Sequence, residues 1–142
     1  MNEQNFKNHK SLVLGYHYIS FFSIVALLIG TIVYLIQNLN EQLFLSALLV
    51  IGSFSLLIVW HYSRAFAAKA QDRAIRAEEN FRHYILTGKP ISENLTTLQI
   101  VGLRFASDEE FVALAEQAQQ EKMSQLEIKK AIKNWRANTY RV

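Results

Sequence analysis

Cysteine is absent from the sequence, which removes structural disulfides, thiolate zinc sites, iron–sulfur ligation and cysteine nucleophiles together. Proline occurs once, as Pro90, and there are only five glycines, so few residues interrupt helix. Charge of either sign is missing from two long stretches: positions 11–40 and 42–63 hold no Asp, Glu, Lys or Arg. Proton relays, ion paths and voltage sensors within membranes are built from such groups, so a single copy of the chain is not expected to transport anything. No catalytic, nucleotide-binding or metal-binding motif stands out, and no catalytic residue, cofactor or small-molecule substrate is assigned.

The uncharged stretches are themselves informative. A membrane-spanning helix needs about 20 predominantly apolar residues. The first run contains Leu12, Leu14, Ile19, Phe22, Leu27, Ile32 and Ile36, and the second runs from Leu43 to Val59 and Trp60. A chain of 142 residues has too little additional protein to cover two helices that are apolar all round, so burial in a soluble core is disfavoured. Lys7 and Lys10 precede the first run as in a signal peptide, yet the run is too long, lacks an A-x-A-like site and is followed by a second span. The expectation is a transmembrane hairpin within 1–63, with spans at about 12–36 and 43–62.

The link from Gln37 to Gln42 is short and has no Lys or Arg, which makes the helices antiparallel neighbours. Lys7 and Lys10 before the first span, and Arg64, Lys69, Arg73 and Arg76 after the second, predict both termini in the cytoplasm by the positive-inside bias. Tyr16, Tyr18, Trp60 and Tyr62 form an aromatic belt at that same end. Ala26 and Gly30 on the first span, and Ser46 and Ser53 on the second, are small residues able to bring the helices together.

Nothing breaks helix between Leu43 and Leu86 except Gly52, so the second span is expected to continue as a juxtamembrane helix over 64–87. Asp72 with Arg76 and Glu78 with Arg82 are i,i+4 pairs in the favourable orientation. Ala67, Ala70, Ala74, Ala77, Phe81 and Tyr84 recur with alternating spacings of three and four, which sets them on one seam where a second helix can approach closely. Docking of the chain's own tail is the simplest use of that seam; a homo-oligomer is the other. Thr87-Gly88-Lys89-Pro90 should stop the helix.

Beyond it, 91–142 reads as a small three-helix domain. Thr96 with Gln99, Ser107 with Glu110, and Ser124 with Glu127 are capping boxes, each ahead of an apolar periodic run. Phe111, Leu114, Ala115 and Ala118 form one stripe, and Ile128, Ala131, Ile132 and Trp135 another. The first helix of the three, with Leu98, Ile100, Val101, Leu103 and Phe105, is apolar almost all round and should lie at the centre.

Charge is sorted in blocks along this tail: basic over 64–90, acidic over 91–127, and basic again over 128–142. Lys129, Lys130, Lys133 and Arg136 are therefore candidates for contact with lipid headgroups, an acidic partner or nucleic acid. A tethered helix-turn-helix reader fits the outline, but the acidic helix ahead of the basic one would repel DNA. His17 and His61 fall near the same membrane face on different spans, the arrangement that a bis-histidine haem or a metal would need.

Three stretches carry a resemblance. Gln71 to Glu78 (QDRAIRAE), Leu103 to Phe111 (LRFASDEEF) and Glu127 to Ala137 (EIKKAIKNWRA) resemble a family of small bacterial two-span inner-membrane proteins of unknown function. The resemblance implies a bacterial inner-membrane location and a shared tail domain, and supplies no active residues. The reading is an all-α protein: a transmembrane helical hairpin, a long juxtamembrane helix and a small cytoplasmic three-helix unit. Its expected function is that of a non-enzymatic adaptor or accessory subunit, with the lipid bilayer and a protein partner or second copy as its associates.

Overall fold

The computed structural model describes residues 5–8 and 12–137; Lys10, one of the two lysines ahead of the first span, lies outside them. The chain is all-helical. A π-helical turn at Gly15–Ser20 leads into α1 (Phe21–Gln37), followed by α2 (Leu43–Thr87), α3 (Thr97–Leu103), α4 (Asp108–Gln120) and α5 (Gln125–Ala131). Contacts divide the described residues into two compact units, one of Leu12–Ala67 and one that includes 5–8 and 68–137.

Among the described residues, Gly15–Gln37 and α2 are the two helices long and apolar enough to cross a membrane. The π-helical turn is held by the Ser20 hydroxyl, which donates to Gly15 O at 2.8 Å. Where α1 and α2 face each other, Thr31 and Ser53 are buried with their hydroxyls 3.1 Å apart, and Ser46 is buried with its hydroxyl bonded to Gln42 O. The serines therefore take the interhelical role expected of them, but Ala26 and Gly30 do not. Both are exposed, and nothing comes within 4 Å of a Cβ built on Gly30. Small residues on α2 alone suffice for close approach, which leaves α1 free to turn Thr31 inward.

Each end of this hairpin carries a polar clasp. At the link, Tyr34 OH donates to Gln42 Oε1 at 2.7 Å, and Asn38 Nδ2 donates to Tyr34 O at 2.9 Å. At the other end the Tyr16 hydroxyl donates to Trp60 O, and the indole of Trp60 donates to Tyr16 O at 3.1 Å.

The second unit begins on α2, which ends where the glycine and proline predict. Gly88 has φ of +73° and its N–H donates to Tyr84 O at 2.8 Å, a left-handed C-cap that residues with a side chain rarely adopt. The core gathers Ile91, Leu95, Ile100, Leu103, Phe105, Phe111 and Ile128, and α3 is central to it, packed against both α4 and α5. Gly102 lets α3 and α5 approach: a Cβ there would stand 3.2 Å from Gln125 O and 3.3 Å from Ile128 Cγ2.

Two of the three capping boxes form. Thr96 and Gln99, and Ser124 and Glu127, exchange both bonds. Gln99 then uses its amide nitrogen on Met123 O (2.9 Å) and Ala118 O (3.3 Å), so a buried polar side chain is satisfied while it ties α3 to the end of α4.

The third box does not close. Ser107 occupies the N-cap position of α4 without a side-chain cap bond, and the reciprocal bond is lost too, since the Glu110 carboxylate accepts from the N–H groups of Lys133 (3.2 Å) and Asn134 (3.0 Å). This corrects the expected last helix as well. α5 stops at Ala131, Ile132 is extended with ψ of 124°, and residues 132–136 run as a strap antiparallel to 105–107. Ser107 N–H donates to Asn134 O at 3.0 Å and Arg136 N–H donates to Phe105 O at 2.7 Å. Trp135 still packs on the core, with its ring 5.1 Å from that of Phe105, but from an extended backbone and not from a helical stripe.

Candidate functional site

The polar part of α2, from Ala68 to Thr87, has two faces of opposite character. At about 100° per residue, Ile75, Glu79 and Arg82 fall together, and all three are largely buried; Ile75 is 4% exposed. Arg82 is the hub of that contact. Its Nε donates to Asp108 Oδ1 at 2.7 Å, Nη1 to Glu79 Oε2 at 3.0 Å and Nη2 to Ala106 O at 2.8 Å. Its guanidinium carbon also lies 4.3 Å from the centre of the Phe111 ring. Asn80 Oδ1 accepts from Ile91 N–H at 2.9 Å, and Arg76 reaches Thr97 Oγ1 at 3.3 Å.

The i,i+4 pairs expected along α2 are thus replaced. Arg82 pairs with Glu79 and Asp108 instead of Glu78, and Arg76 turns to Thr97 instead of Asp72. Arg82 gains two carboxylates and a carbonyl for one guanidinium, more than the single carboxylate of Glu78 offers.

The seam predicted from the alanine spacing lies on the face away from this contact. Ala70, Ala74, Ala77, Phe81 and Tyr84 are exposed, Phe81 at 65% and Tyr84 at 55%, and the adjacent Ile85 at 66%. The expectation that the chain's own tail docks on the seam is therefore corrected: the tail docks on Ile75, Glu79 and Arg82. The reason is chemical. Alanines present little area, whereas the docked face combines an isoleucine with an arginine able to satisfy three acceptors at once. Sequence reasoning missed Glu79, Arg82 and Asp108 as a cluster, because the spacing of Asp108 from α2 says nothing of its proximity.

The basic residues of the C-terminal segment do not line up on one helix. Lys129 and Lys130 belong to α5, with the Lys129 ammonium 5.4 Å from the Phe105 ring centre. Lys133 and Arg136 stand on the extended strap, their backbone N–H groups used by Glu110 and Phe105. A recognition helix carrying all four is not present, because the strap replaces its second half.

His17 and His61 are engaged locally. His17 Nδ1 is 3.1 Å from Val13 O and its ring meets Tyr16 edge-on, while His61 meets Tyr62 edge-on. Among the described residues no group of three or more His, Asp or Glu side chains could hold a metal ion. In the capping box of α5, hydrogen bonds from the Ser124 hydroxyl and then the Ser124 backbone hold the Glu127 carboxyl below the ordinary glutamate value.

What these features define is an all-helical protein with two helices of membrane-spanning length and a separately cored helical unit. The chain belongs to a family of unknown function, DUF6526, whose family model matches residues 1–142. No curated protein and no solved structure matches the chain.

Proposed function

We propose that the protein is a membrane-anchored, non-enzymatic adaptor or accessory subunit of a bacterial inner membrane, with both termini in the cytoplasm and a helical tail that binds a protein partner. The membrane reading is supported by where the apolar residues sit. Only 6% of the most apolar window of the first helix and 11% of that of α2 is buried, whereas a core helix of a soluble protein would bury most of it. Phe22, Phe44 and Ile51 point outward, where lipid would receive them.

The single observation that carries the adaptor reading is the free apolar face of α2. The tail unit has its own core and uses Ile75, Glu79 and Arg82 of the helix, and Phe81, Tyr84 and Ile85 still project from the other side. A solvated helix face has no need of two aromatic residues and an isoleucine in two turns. The test is photo-crosslinking in native membranes from a benzophenone amino acid placed at Phe81 or at Tyr84, followed by mass spectrometry. A discrete protein adduct from both positions is expected; if the chain resists alkaline extraction but neither position yields an adduct, the adaptor reading fails.

A further inference from the structure

We infer that the occupant of this face is a second copy of the chain, paired in parallel through α2 and held in register by Arg73 and Glu78. The inference rests on the membrane-anchored reading above and names the partner at the same surface.

In heptad terms Ala74 and Phe81 occupy a positions, and Ala70, Ala77 and Tyr84 occupy d positions. Arg73 then falls at g and Glu78 at the following e. In a parallel pair a g residue meets the e residue five positions further along the partner helix, so Arg73 of each copy faces Glu78 of the other. The two ion pairs form at once by symmetry. Both side chains are exposed, and neither takes part in the ion pairs that the described residues make. An antiparallel pair would set g against g and e against e, arginine against arginine and glutamate against glutamate. The charge pattern therefore selects orientation as well as partner.

The tail unit agrees with this geometry. Ile75 and Arg82 are at b positions and Glu79 at f, the outward side of a two-helix coil. Ala70, Ala74, Ala77, Phe81 and Tyr84 stay exposed beside the unit that docks there, so two copies can meet through them. Anchoring favours the same pair. All copies inserted with one topology send α2 out of the same membrane face in the same direction, which is the parallel arrangement, and confinement to a surface raises the effective concentration of one copy for another. A seam rich in alanine and shorter than the usual coiled coil would be weak in dilute solution; between anchored helices it has far less entropy to overcome.

The test exploits the absence of cysteine. Single substitutions Ala74→Cys and Ala77→Cys in the full chain, oxidised in native membranes, should give disulfide-linked dimer at about ten times the yield of Lys69→Cys, an exposed position off the seam. Adding Arg73→Glu or Glu78→Arg to Ala74→Cys should lower that yield several-fold, and adding both should restore it. Equal yields at Ala74 and Lys69 in chains that resist alkaline extraction overturn the pairing and leave anchoring standing. Release of the chain by alkaline extraction overturns the anchoring instead. Failure of the double exchange to restore crosslinking overturns the parallel register, and an adduct to a different protein at Ala74 replaces the second copy with that protein.

Discussion

Tyr16 and Trp60 hold one another by reciprocal bonds: each side chain donates to the other's backbone carbonyl, and the two rings stack with centroids 5.4 Å apart and planes 14° apart. The clasp closes the open end of the hairpin opposite the Asn38 link. Phe21 adds a third ring, 5.1 Å from that of Trp60. With the hairpin in a bilayer as proposed, such interhelical bonds contribute about 0.6 kcal/mol on average and up to about 1.7. Tyr16→Phe keeps the stacking and removes one donor, so it should destabilise the hairpin within that range in a denaturant titration of detergent-solubilised protein. A cost of zero would mean that lipid or water substitutes for the tyrosine hydroxyl.

Arg82 is expected to be the most sensitive residue of the second unit. Replacing it with Met leaves Glu79 largely buried without its cation, and Ala106 O and Asp108 without their donor. Breaking a buried pair from one side costs about 3 to 5 kcal/mol. Ala68–Val142 should fold as a soluble unit and melt cooperatively, and its Arg82→Met form should be largely unfolded near room temperature. A fragment beginning at Ile91 lacks Ile75, Glu79 and Arg82 altogether and should show less helix by circular dichroism than its share of the longer fragment. Equal melting temperatures for the two fragments would show that α2 is a passive neighbour.

Lys122 sits where a glycine would be easier. Its φ is 51°, and Met123 N–H donates to Ala118 O at 3.1 Å, the closing bond of a Schellman turn after α4. A left-handed residue with a side chain costs about 1 to 2 kcal/mol, and the extra freedom of glycine in the unfolded chain returns part of it. Lys122→Gly should therefore raise stability by up to about 1 kcal/mol, read as a higher melting temperature of Ala68–Val142. A lowered melting temperature would indicate that the lysine side chain contributes a contact worth more than the backbone relief.

Glu127 predicts an acid limb. Its carboxyl is depressed in the folded state by the hydrogen bonds of the Ser124 hydroxyl and backbone, so the stabilisation it brings is complete above the unfolded glutamate value of about 4.3. It is lost as pH falls through the lower, folded value. Glu127→Gln retains an acceptor for the Ser124 N–H but has no proton to bind. Melting temperatures of Ala68–Val142 measured from pH 7 down to pH 3 should fall less steeply for that variant below about pH 4.3; identical slopes would refute the assignment.

Much of the architecture was legible from one dimension. Two runs without charge predict two long apolar helices, because a segment of that length in contact with water carries ionised side chains on its wet face, and these two carry none. Thr96 with Gln99, Ser124 with Glu127, and Gly88 ahead of Pro90 mark helix ends through bonds and torsions that involve only near neighbours in sequence. The alanine spacing likewise identified a coherent face on α2, since position around a helix follows directly from residue number.

What covers a face does not follow from residue number, and that is where tertiary structure decided. The tail chose Ile75, Glu79 and Arg82 over the alanine seam because Arg82 finds Asp108, Ala106 O and the Phe111 ring in reach only once α4 is in place. Glu110 left Ser107 for the N–H groups of Lys133 and Asn134, which stand 23 and 24 residues away in sequence, and that choice converted the second half of a periodic helix into a strap. A carboxylate binds the unpaired donors that folding brings nearest to it. Local pattern establishes which groups have bonds to offer, and only the packed chain determines which of them meet.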